Sequence, residues 1–155
     1  MEKRIYKDFI EITASKELKL FVRSIAASYR FVFEQDKYDF VQRAMKLDLV
    51  DINGVGMLAS RFASADPGEK LELTKEEVYL FYTMMELVCR SFLCDIGDDY
   101  KRIAMRISQA SEEQYNQVRS TELMIAQTLI GQVRKDFMDD PDFESINERL
   151  ELLDK

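Results

Sequence analysis

For most of the chain, apolar residues recur at spacings of three and four, the period of a helix that buries one face. Leu18, Phe21, Val22, Ile25, Tyr29, Val32 and Phe33 fill one wide face of a helix over 15–35, and Ser15 is placed to cap it. A second line on another side of that helix runs Leu20, Ser24, Ala27 and Phe31, at spacings of four, three and four. A helix with two such sides is either sandwiched between neighbours of its own chain or covered by another subunit. Leu20, Ser24, Ala27 and Phe31 are therefore candidate interface residues, with Lys19, Arg23, Arg30 and Glu34 as a charged border.

Residues 37–48 continue helically, with Phe40, Val41, Ala44, Met45 and Leu47 toward a core. Asn53-Gly54 reads as a break, a short helix follows over 57–65, and Asp66-Pro67-Gly68 reads as a turn. Thr74-Lys75-Glu76-Glu77 has the spacing of a capping box, with Leu73 and Val78 at the flanking staple positions. The helix it opens, over 75–94, is apolar nearly all round and is expected to be central and mostly buried. Its polar residues, Glu76, Thr83, Glu86 and Arg90, form a narrow strip.

Residues 95–99, containing Gly97, read as a connection. Beyond it Tyr100, Ile103, Ile107, Val118, Ile125 and Leu129 share one sector of a continuous helical projection. They predict a long or kinked helix over 99–137, or two helices if Ser111 and Gln114 cap a new start. Asp140-Pro141 opens a last amphipathic helix carrying Phe143, Ile146, Leu150 and Leu153. Residues 2–13 admit two readings. Ile5, Phe9 and Ile12 suit a helix face, whereas Ile10, Ile12 and Thr13 suit a strand; helix is favoured. The expected fold is all-α, a single-domain bundle of about five to six helices, without substantial sheet.

Composition narrows the class further. A chain of 155 residues with 46% apolar content can bury a core without disulfide or metal. Five Gly and two Pro are too few for the turns of an all-β fold. Charges interrupt the first apolar residues, and no uncharged apolar run reaches the ~18 residues of a membrane span, so a cytoplasmic protein is expected. Cys89 and Cys94 fall on different faces of one helix and are expected as reduced thiols. The net charge is −7, and residues 111–155 hold eleven acidic against five basic side chains, whereas residues 1–37 hold six against eight. That balance argues against general nucleic-acid binding and for a protein partner, a basic one included.

The chain contains no histidine, which removes Ser-His-Asp and Cys-His catalysis as usually built and the Glu-x-x-His pairs of di-iron bundles. Gly54-Val55-Gly56 is no complete dinucleotide loop and reads as a hinge. Residues 66–77 have acid at both ends, as a calcium loop does. Leu71 stands where its turn needs Gly, and Gly68 and Lys70 stand at two ligand positions, so calcium is not expected. Lys101, Arg102 and Arg106 are candidate anion contacts, unless Asp98 pairs with Arg102 on a solvated face. Thr83, Glu86 and Arg90 either line a pocket or simply face water. The acidic pairs 98–99, 112–113 and 139–140 stand at helix starts, where they complement the dipole. Neither metal nor cofactor is expected. The favoured reading is a non-enzymatic protein-binding module, self-associating as a homodimer. The alternatives are an acidic inhibitor or immunity-type protein bound to a basic partner, and a small-molecule binder or unusual enzyme with a pocket beside the central helix.

Overall fold

Residues 3–5 and 9–155 are described by the structure, a computed structural model, the first three through their backbone alone. In chain order the described elements are β1 (Lys3–Ile5), β2 (Phe9–Ala14), α1 (Lys16–Phe33), α2 (Asp39–Lys46), α3 (Ile52–Ser64), β3 (Glu69–Thr74), α4 (Lys75–Ser91), α5 (Asp95–Ser108), α6 (Glu112–Phe137) and α7 (Pro141–Leu153). The chain is mostly helical, as its periodicity implies, with a small sheet added.

The sheet corrects the helix expected over residues 2–13. Its strands lie in the order β1-β2-β3, all antiparallel, with Ile10 opposite Leu73 and Ile12 opposite Leu71. Ile10, Ile12, Ala14, Leu71 and Leu73 are buried, and Glu11, Glu69, Lys70 and Glu72 are not. A window this short fits both periods, and the long-range pairing with β3 decides between them. Residues 1, 2 and 6–8 of that stretch lie outside the described residues.

Two further corrections concern helix boundaries. Asn53-Gly54 is no break. Asp51 caps α3, its carboxylate accepting from the Gly54 N–H at 2.8 Å. A Cβ at Gly54 would lie 2.4 Å from that carboxylate, so the glycine admits the cap's close approach rather than a turn. The single helix over 99–137 is instead two. α5 starts within the expected connection, at Asp95, and ends where Gln109 takes a left-handed conformation, φ 56°. Ser111 and Gln114 then close a capping box. The left-handed residue costs about 1–2 kcal/mol without glycine, and the new cap offsets it by about 1 kcal/mol.

α4 sits at the centre. The Thr74–Glu77 capping box forms, and Leu73 and Val78 are both buried. From Val78 to Val88 every residue but Leu80 is buried, because α1, α3 and α6 all pack around this helix. α7 is tied across α4 by polar contacts. Tyr79 donates to Asp140, Tyr82 to Asn147, and Arg90 pairs with Asp154 at 2.7 Å. No described helix is long and apolar enough to cross a membrane. Cys89 and Cys94 are free and half-buried, and burial pushes the Cys89 thiol up to about 11.

Candidate binding groove

α1 and α3 pack side by side, and each buries apolar residues, Val22 and Ile25 on α1 and Val55 and Leu58 on α3. On the outer side of that seam both helices carry small residues: Ala26 and Ala27 on α1, Gly56, Ser60 and Ala63 on α3. Small side chains cannot fill the space between two helix cylinders, and a groove of about 1210 Å³ remains. A Cβ at Gly56 would meet nothing within 4 Å. Leu20 and Met57 stand on opposite banks and are 56% and 73% exposed. The rim on the α1 side is basic: Lys16, Lys19, Arg23 and Arg30. No Asp or Glu, and no aromatic residue, is among the described residues that line the groove.

The four cations differ in what holds them. The Lys19 ammonium donates to the Ala65 carbonyl at the end of α3. Arg30 pairs with Glu34 at 2.9 Å on an exposed turn. Lys16 and Arg23 have no ion pair among the described residues. Lys16, Arg23 and Arg30 are spaced by seven, so they repeat along one side of α1 at a rise of roughly 10.5 Å.

The line Leu20, Ser24, Ala27, Phe31 is divided by the tertiary structure. Leu20 and Ala27 are exposed on the groove. Ser24 donates to Glu122 of α6, and the Phe31 ring packs edge-on against Tyr100 of α5 at 5.2 Å. Those last two contacts belong to a cluster around Arg119. Its guanidinium lies 4.1 Å over Phe92 and 4.9 Å over Tyr100, and pairs with Glu122 at 2.9 Å. Tyr100 and the buried Ser28 hydroxyl share a hydrogen bond of 3.0 Å. Burial opposes the charge on Arg119, yet Glu122, Tyr115 and Tyr100 outweigh it and hold its pKa above the ordinary guanidinium value. The cluster joins α1 to the α5–α6 pair.

Thr83, Glu86 and Arg90 do not face water as a strip. Thr83 and Glu86 are buried, with α6 and α7 laid over them. Glu86 accepts from both Arg90 and Arg134, and Thr83 donates to the Tyr79 carbonyl. None of the three lines the small apolar cavity beside α4, about 40 Å³, whose walls are Ile10, Phe81, Met85 and Leu129 among others. Of the candidate anion contacts Lys101, Arg102 and Arg106, the first two are engaged in ion pairs. Lys101 pairs with Glu112, and Arg102 pairs with Asp99 rather than with Asp98. Arg106 is exposed.

Lys16, Met57 and Ser60 are not among the site residues the sequence singles out, and Gly56, read there as part of a hinge, lies inside α3. The seven-residue repeat of Lys16, Arg23 and Arg30 and the Gly56-x-x-x-Ser60 spacing were available as signals. They carry weight only once α3 is known to lie beside α1. No protein-family model matches the chain, and no curated protein or solved structure shows significant similarity to it.

Proposed function

We propose that this protein is a non-enzymatic binding module that takes an α-helix of a protein partner into the groove between α1 and α3. The observation that supports the reading is the groove's make-up, an apolar floor of small residues with exposed Leu20 and Met57 on its banks. A floor of Ala and Gly admits a helix at close range, and exposed residues at spacings of three, four and seven are how such helices are held. Lys16 and Arg30 lie fourteen positions apart, roughly 21 Å of helix axis, which exceeds the reach of a small ligand and suits four turns of a partner. Drug-sized sites run to about 1,000 Å³ and are mostly enclosed; this one is an open trough.

The test uses amphipathic helical peptides as long as α1, 18 residues, sharing one apolar face and carrying acidic, uncharged or basic flanks. Resonance shifts along α1 and α3 are expected on titration with at least one of them. Gly56→Leu should abolish those shifts. The added side chain projects into open groove, and replacing a helical glycine stabilises the fold by about 0.8 kcal/mol, so loss of binding is not loss of folding. No shift with any peptide, or shifts that survive Gly56→Leu, would overturn the proposal.

A further inference from the structure

Resting on that reading, we infer that the helix held by the groove is acidic, with carboxylates repeating every seven residues opposite Lys16, Arg23 and Arg30. On a chain of net charge −7 the groove is an island of opposite sign, with four cations and no carboxylate among its described lining residues. Two of the four, Lys16 and Arg23, have no counter-ion of their own among the described residues. The heptad is the geometric key. Lys16, Arg23 and Arg30 alternate with Leu20 and Ala27 at spacings of four and three. A helix lying along α1 therefore meets an apolar seam flanked by a positive charge roughly every 10.5 Å. A partner with an apolar seam and Glu or Asp at every seventh flanking position meets both features at once. Complementary flanking charges of this kind set partner choice, orientation and encounter rate more than they set raw affinity.

Two other occupants fit less well. A single-stranded nucleic acid stacks its bases on aromatic rings, and no aromatic residue is among the described lining. A second copy would have to offer an acidic helix with a free apolar face. Its acidic helix α7 already spends Phe143, Leu150 and Leu153 on its own core.

The experiment measures the affinity of the three peptides for the wild-type chain, for a Lys16→Glu/Arg23→Glu variant and for Gly56→Leu, at low and high salt. Neither Lys16 nor Arg23 has an ion pair to lose within the described chain, so the double variant is expected to fold. The acidic peptide should bind the wild type roughly tenfold tighter than the uncharged one. That advantage should shrink as salt shortens the screening length from about 10 Å at 0.1 M to about 3 Å at 1 M. In the double variant the preference should pass to the basic peptide, a gain of binding that misfolding cannot produce. Equal binding of acidic and uncharged peptides, both blocked by Gly56→Leu, would overturn the acidic specificity and leave the groove's function standing. Absence of groove binding by all three would overturn both. Tighter binding of a single-stranded oligonucleotide than of the acidic peptide, abolished by the double variant, would overturn the inference. So would a wild-type dimer, seen by light scattering, that the double variant dissociates.

Discussion

Glu86 is the group whose removal should be felt most sharply. The carboxylate is 4% exposed on the central helix, and one of its oxygens accepts from both Arg90 and Arg134. Glu86→Ala leaves two guanidinium groups facing one another with their shared anion gone. Removing one partner of a buried pair costs about 3–5 kcal/mol when the other is trapped without compensation. Neither arginine is trapped here. Arg90 keeps Asp154, at 2.7 and 3.1 Å, and the Arg134 side chain is 53% exposed and free to turn into water. The cost should therefore fall to about 2–3 kcal/mol for Glu86→Ala, and to about 1–2 kcal/mol for Glu86→Gln, which keeps the shape and one acceptor. Urea unfolding followed by circular dichroism measures both. Double-mutant cycles should divide the effect unequally: about 1–3 kcal/mol of coupling between Glu86 and Arg90, and under about 1 kcal/mol between Glu86 and the more exposed Arg134. A loss below about 0.5 kcal/mol for Glu86→Ala would refute this reasoning, because that is how a solvated surface carboxylate behaves.

Arg119→Lys should cost about 1–2 kcal/mol, since an ammonium cannot reproduce the flat guanidinium stacked over Phe92 and Tyr100. Amide exchange over 112–122 should quicken with it, and unchanged stability and exchange would show that charge alone serves there. Asp140 is held down to about 2 by the Tyr79 hydroxyl and then by the Lys75 ammonium. A carboxyl with a depressed folded-state pKa contributes stability above its unfolded value of about 3.9, lost as pH falls toward the folded value. The stability gap between wild type and Asp140→Asn should thus be constant from pH 7 to 5 and narrow between pH 4 and 2; Asn can keep the helix cap with its one side-chain oxygen but cannot also accept from Tyr79, so the part of the gap that changes with pH reports the charge and the constant remainder the lost hydrogen bond. A gap that does not change with acid would refute the assignment.

The helical framework was legible because its signals are local. Ser15, Thr74, Ser111 and Asp140 each bond the backbone at the start of the helix that follows them. Such caps act within one turn and owe nothing to the rest of the chain. The apolar surround of α4 likewise announced a central helix, and residues 78–88 are buried almost without exception. Where local signals are balanced or absent, tertiary contacts decide. Phe9–Ala14 carries an alternation that also suits a helix face, and its partner Glu69–Thr74 lies far along the chain. Asn53-Gly54 has the composition of a break, yet it lies in the first turn of α3, where the glycine makes room for the Asp51 cap.

The candidate site was legible only in halves. The line Leu20, Ser24, Ala27, Phe31 was visible as a second apolar side of α1, and the nearby cations were visible as its border. Sequence alone could not tell which members would be covered. Ser24 meets Glu122, 98 residues away, and Phe31 meets Tyr100 on another helix. Leu20 and Ala27 remain open because the α3 residues beside them are too small to close the seam. Amphipathicity determines that a face will be covered, since burying apolar area is favourable wherever it occurs. It carries no information on what covers that face, because the hydrophobic effect is non-directional. The tertiary packing made that choice, and with it the groove.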